Sequence, residues 1–266
     1  MGSPDNARPA APWPLVFLYL GLCCGPNGRE SATIHAMTQP LSKDNITKLL
    51  KRVRIRSQKS QKAESDIILL AVSKTRPADD VRAAYDCGLT QFGENYLQEA
   101  VDKITDLADL PITWHFIGPI QSNKTRPIAE HFQWVQSIER PKIARRLNEQ
   151  RPDSLPPLQV CLQVNISSEQ SKSGVSLNEL DELAALVDEL PRLQLRGLMA
   201  IPAATDSESE QRATFAALRK AFEQLKLKHP QIDTLSMGMS GDMESAIAEG
   251  STMVRIGTAI FGPRQG

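Results

Sequence analysis

Lys74 closes an apolar run in the stretch DIILLAVSKT, residues 66–75. Side chains alternate along a strand, so Lys74 shares a face with Val72, Leu70 and Ile68, while Ser73 falls on the other face with Ala71. Two readings of that lysine stand. Its stem packs and its ammonium reaches water at the strand end, or its amine sits in a partly apolar pocket near a cation, loses its proton more readily and attacks a carbonyl. Arg255 poses the same question near the other end of the chain, set between Val254 and Ile256 and sharing a face with Met253 and Gly257. A buried guanidinium is costly unless it meets a partner, so Arg255 either reaches water from a rim or is bonded inside. Gly257 leaves the backbone bare, and with Thr258 it can offer N–H and hydroxyl donors to a phosphate. Ser240 precedes a helical pattern from Asp242 to Gly250 and is read as its N-cap or as an anion donor. Asp242 and Glu244 suit the helix dipole but oppose a nearby phosphate.

The elements that must position these residues follow from the hydrophobic pattern. Short apolar runs occur at Ile67–Ser73, Gln91–Gly93, Thr113–Ile117, Trp134–Ser137, Leu158–Asn165, Gln194–Met199, Thr234–Ser236 and Met253–Ile256, eight in all. Between them lie helical stripes such as Leu180, Leu183, Val187 and Leu190, or Phe215, Leu218, Phe222 and Leu225. Pro77 stands where a helix can begin, and Pro191 and Pro230 stand where helices stop. Continuous apolar runs mark strands buried on both faces. Strict strand–helix alternation repeated eight times predicts an α/β fold, a single (β/α)8 TIM barrel rather than an open sheet. An extra helix over Ser42–Ser57 precedes the first strand. In such barrels the chemistry gathers at the carboxyl ends of the strands. Lys74 is at such an end, as are Glu94 and Asn95, His115 and Gly118, and the loop with Asn165, Ser167, Lys172 and Gly174. His115 within an apolar strand is read as a satisfied core residue.

The chain of 266 residues carries 31 basic and 31 acidic side chains, and that balance argues against a nucleic-acid binder held by bulk charge. The basic run KRVRIR (51–56) reads as a solvated helix face. Cys23, Cys24, Cys87 and Cys161 have neither zinc-ligand spacing nor a disulfide framework. Residues 1–36, rich in proline around LVFLYLGLCC (15–24), are expected to be a disordered extension or a mis-set start, with residues 37–266 forming one domain. The apolar patch is too short to span a bilayer, and with Arg8 as its sole upstream basic residue it is a weak signal peptide. The sequons at Asn45, Asn123 and Asn165 matter only in a secreted protein.

An amine facing a phosphate-binding rim selects a phosphorylated aldehyde, either a sugar phosphate, as in Schiff-base aldolases, or pyridoxal 5'-phosphate (PLP). AVSKT (71–75), FGENY (92–96), WHFIGPIQSNK (114–124), SKSG (171–174), RGLMAI (196–201), LSMGMSGDMESAI (235–247) and GSTMVRIGTAIFGPR (250–264) decide between them. These blocks resemble the pyridoxal phosphate homeostasis protein family, whose fold is similar to the N-terminal barrel of alanine racemase. The resemblance runs from about Ser42 to Arg264 and leaves residues 1–36 without a counterpart; the chain also stops soon after IFGPR, before the closing helix of many relatives. It implies a covalent aldimine between PLP and Lys74, Arg255 facing the pyridine nitrogen, Ser240, Gly257 and Thr258 on the phosphate, and Asn95 near the ring hydroxyl.

The resemblance also implies a cytoplasmic carrier that maintains vitamin B6 supply without turnover of its own. A cation opposite the pyridine nitrogen keeps it unprotonated and weakens the electron sink, although racemases with this arginine still work. Racemisation of the alanine type needs a second acid/base, in that family a tyrosine supplied by a second domain and subunit. Tyr19, Tyr85 and Tyr96 are the only tyrosines, Tyr96 alone falling near the rim, and no second domain is expected. The alternative is a PLP-dependent amino-acid racemase. Apo PLP-dependent enzymes are the expected recipients, with neither nucleic acid nor membrane as a partner, and the expected state is a monomer.

Overall fold

The computed structural model describes residues 43–59, 67–167 and 173–263. The extension expected over residues 1–36 and the loop residue Lys172 lie outside the described residues. Eight parallel strands close into one ring in sequence order. They are β1 (Ile68–Val72), β2 (Gln91–Glu94), β3 (Thr113–Phe116), β4 (Trp134–Ile138), β5 (Leu158–Gln163), β6 (Leu193–Met199), β7 (Thr234–Ser236) and β8 (Met253–Ile256). The ring is shut by β8 lying parallel to β1, with Leu70 opposite Arg255 and Ala71 opposite Ile256. Each apolar run of the sequence is a strand, two with the same bounds and the rest with ends moved by one or two residues.

The two-sided apolar runs are explained by two separate packing layers. On the outer face Ala71, Phe92, Phe116, Val135, Val254 and Ile256 pack with helix residues in one large cluster. Inside the ring, Leu70 and Met253 meet Ile117, with Ile68 and Val72 against them, and Trp134, Cys161 and Met199 form a second plug. Lys74 follows the inner stripe. Each fully buried aliphatic or aromatic side chain contributes about 1.5–3 kcal/mol, so the double layer is the main source of stability.

The crossover helices are α2 (Ala78–Asp86), α3 (Leu97–Asp106), α4 (Thr125–His131), α5 (Pro141–Gln150), α6 (Leu180–Asp188), α7 (Glu208–Lys228) and α8 (Met243–Ala248), followed by the short α9 (Thr258–Phe261). Pro77 is the N-cap residue of α2, and α6 and α7 end just before Pro191 and Pro230. The extra helix, α1 (Lys43–Lys59), buries Ile46, Leu49 and Val53 and packs against α8 and α9. Arg52 fixes it there through Nη2 and Nε, which donate to Glu244 Oε1 at 2.6 and 2.9 Å.

The N-cap reading of Ser240 is corrected. Helix α8 starts after Asp242, whose Oδ1 accepts the N–H of Met239 in the preceding turn. Gly238, at φ 96°, makes that turn; a Cβ there would lie 2.5 Å from the Ala246 Cβ. Ser240 stands two residues before the cap, in the turn rather than at the helix start.

Candidate functional site at the barrel mouth

At the carboxyl ends of the strands a cavity of about 260 Å³ opens, and Lys74, Asn95, Ser240, Arg255, Gly257 and Thr258 all line it. Residues distant in sequence meet there because β1 and β8 are neighbours. Arg76, Ile117, Ile201, Met239 and Phe261 complete the wall, so the amine and the guanidinium share a partly apolar space. The other polar groups noted at strand ends are placed elsewhere. Glu94 turns outward beneath α3, His115 points into the barrel, and Asn165, Ser167, Gly174 and Gly118 do not line the cavity. Gly118 acts indirectly, since a Cβ there would fall 2.2 Å from the Asn95 carbonyl; its bare backbone lets the loop carrying Asn95 close down.

Arg255 is bonded inside the mouth. It is 3% exposed, and Nη1 donates to Ser236 Oγ while Nη2 donates to the Ala200 carbonyl, both at 2.7 Å. Burial lowers its pKa to about 10, so the guanidinium is still charged at neutral pH. The direct partners are neutral, which leaves a buried positive charge facing the cavity. Behind it runs a chain of donors. Ser236 Oγ donates to Gln136 Oε1 at 2.7 Å, and Gln136 Nε2 lies 3.0 Å from His115 Nδ1. An amide NH₂ can only donate, so Nδ1 accepts and Nε2 carries the proton toward Gln91 Oε1 at 2.7 Å. His115 stacks on Trp134 at 5.1 Å, and burial pushes its pKa down to about 3. It is the satisfied core histidine that its apolar strand implied.

At the end of the strand beside the lysine's own, Gly257 lies against β1, where a Cβ would approach the Val72 carbonyl to 3.3 Å. Thr258 opens α9, and the first N–H groups of any helix lack an intrahelical acceptor. Together with the Ser240 hydroxyl they form a donor set suited to an anion. The acidic residues noted nearby are engaged elsewhere, Glu244 with Arg52 and Asp242 with the Met239 N–H. Asn95 Oδ1 is buried without a hydrogen-bond partner among the described residues, which suits a donor on a bound molecule. Arg76 went unnoticed in the sequence, although its place two residues after Lys74 was a signal. It is buried, and its Nη2 donates to the Gly262 and Pro263 carbonyls at 2.7 and 2.6 Å, tying the end of the barrel to the lysine turn.

The sequence profile of the alanine racemase N-terminal domain family matches residues 46–265. The pyridoxal phosphate homeostasis protein of Pseudomonas aeruginosa is 60% identical over 221 residues, which are 83% of this chain and 95% of that protein. This chain belongs to the pyridoxal phosphate homeostasis protein family. Among solved structures, PipY of Synechococcus elongatus with PLP bound superposes with a TM-score of 0.68 at 39% identity, covering 79% of this chain and 98% of that one. Alanine racemase from Corynebacterium glutamicum shares the fold at a TM-score of 0.63 and 19% identity, with 84% of this chain matched to 62% of the racemase. In this homeostasis-family barrel the amine, the buried cation, the unpartnered amide oxygen and the anion-type donors fit an aldehyde that carries a phosphate and a ring nitrogen.

Proposed function

We propose that the chain is a cytoplasmic PLP carrier, residues 37–266 acting as one monomeric binding domain that loads PLP and passes it to apo PLP-dependent enzymes without turnover of its own. Lys74 holds the aldehyde carbon as a Schiff base. Arg255 faces the ring nitrogen, Ser240, Gly257 and Thr258 hold the phosphate, and Asn95 accepts from the ring hydroxyl. The observation that carries this reading is the meeting of all six residues in one cavity at the barrel mouth. PLP, when bound, supplies a carbonyl that a lysine amine can capture reversibly. The protein's part is to bind and orient it and to keep a fixed positive charge at its ring nitrogen, which disfavours protonation there.

The racemase alternative requires a second acid/base at the cavity. Tyr96 is 55% exposed at the start of α3, and neither it nor Tyr85 lines the cavity. That supports carriage over turnover. The test is an absorption spectrum of the purified chain with PLP, before and after borohydride. Carriage is upheld by an imine band that borohydride traps at Lys74, by transfer of PLP to an apo-enzyme, and by amino acids whose optical rotation stays unchanged. Rotation lost at rates of about 1 per second or more would make it an enzyme instead. A trapped adduct with a sugar phosphate, without any imine band from PLP, would make it an aldolase.

A further inference from the structure

The turn that carries Lys74 is gripped from behind by charged side chains that do not line the cavity. Thr75 has φ 63°, a left-handed conformation that a β-branched residue adopts only when its surroundings force it. Its N–H donates to Glu99 Oε1 at 2.6 Å. The same oxygen receives Lys103 Nζ at 2.5 Å, and that ammonium, 4% exposed, also donates to the Ser73 carbonyl at 2.7 Å and to Glu94 Oε1 at 2.8 Å. Ser73 Oγ donates to Glu94 Oε1 at 2.7 Å. The backbone is therefore held on both sides of Lys74, at the Ser73 carbonyl by the Lys103 ammonium and at the Thr75 N–H by the Glu99 carboxylate, with Glu94 bonded to that ammonium and to the Ser73 hydroxyl.

Such a cluster is expensive to bury. Desolvation raises the Glu94 pKa even with Lys103 beside it, and Glu94 Oε2 is buried without a hydrogen-bond partner. An apolar trio would fill the space beneath α3 at lower cost. What an apolar trio could not do is hold a carbonyl and an N–H in a conformation the chain resists. The strain and the cluster meet at one residue, the lysine between them.

We propose that Lys103, with Glu94 and Glu99, is the positioning device for the Lys74 amine and sets how tightly the barrel retains PLP. The inference rests on the carrier reading above. These are positioning residues, since none of them lines the cavity. Misplacing a reacting group by an ångström costs up to about a hundredfold, so loss of one anchor is expected to weaken PLP binding by about tenfold.

The experiment uses the full chain with Glu99→Gln and Lys103→Met. It reads the Kd for PLP, the rate of PLP loss to an apo-enzyme, the pH at which the imine band shifts, and the melting temperature without PLP. The Glu99 side chain is 30% exposed, so Glu99→Gln is expected to melt near the wild type while binding PLP about tenfold more weakly, releasing it faster and shifting the pH of the band. Lys103→Met is expected to do the same more strongly; if it does not fold, Glu99→Gln decides. If the wild type forms its trapped adduct and folded Glu99→Gln keeps wild-type affinity, release and band pH, this inference is overturned and the carrier reading survives. If the wild type forms no adduct, both are overturned.

Discussion

The two ends of the barrel are made by the same strands, yet their polar groups are settled in opposite ways. At the amino end, Arg196 gives Nε and Nη2 to the two carboxylate oxygens of Asp233 at 3.0 and 2.5 Å, gives Nη1 to Gln159 Oε1 at 2.7 Å, and lies 4.8 Å over the Trp134 ring. Gln159 in turn donates to Gln194 Oε1 at 2.9 Å. Charge meets charge and the end is sealed. At the carboxyl end, Arg255 donates to neutral acceptors and feels Asp242 only through space, Asn95 Oδ1 has no partner among the described residues, and Thr75 sits in a disfavoured conformation. One arginine is matched by a carboxylate, the other by neutral groups. A counter-charge is supplied at one end and withheld at the other, the carboxyl end, where the chemistry of such barrels gathers.

The contrast can be broken by substitutions at either end. Lys74→Ala is expected to have the largest effect, complete loss of the borohydride-trapped adduct, with a melting temperature close to wild type. Arg255→Leu comes next. It is expected to weaken PLP binding by at least about tenfold and to cost about 1–3 kcal/mol of stability, because the Ala200 carbonyl and the Ser236 hydroxyl lose their donor; equilibrium binding and urea unfolding measure the two. A variant that binds PLP like wild type would remove the functional difference between the two arginines.

His115 lies between the ends and is read through pH. Its folded pKa of about 3 is below the unfolded value of 6.5, so the stability it contributes is present above pH 6.5 and is lost as pH falls toward 3. The slope from this group approaches about 1.4 kcal/mol per pH unit, or about 2 kcal/mol between pH 7 and pH 5. His115→Gln is expected to flatten that part of a urea-midpoint profile, and an unchanged profile would show that the imidazole is not held neutral. The smallest effect is expected of Asp233→Ala at the sealed end, about 1 kcal/mol in unfolding with PLP affinity unchanged, since the pair is partly exposed. A change in affinity there would mean that the two ends are not independent.

Much of this was legible in the sequence, for identifiable reasons. Runs such as Ile67–Val72 are apolar at every position because both faces of the strand are covered, and that pattern located the ring and put Lys74 and Arg255 at its strand ends, while which face points inward emerges only when the ring is closed. Ser240 was misread as a cap because serine before an acidic helical stretch is ordinary capping chemistry, and only the turn at Gly238 moves it to the cavity. Lys103 and Glu99 were invisible. On the amphipathic pattern of α3 a lysine and a glutamate four residues apart look like a solvated pair, and nothing local says that the strand end above them needs anchoring. Gln136 and Ser236 were likewise silent, since a polar residue inside a barrel declares its partner only once the strands are in register.

The seam between β8 and β1 sets the moment at which the pocket can exist. The amine comes from the beginning of the ring and the guanidinium from its final strand, so the cavity they share is whole only once the last strand has docked on the first.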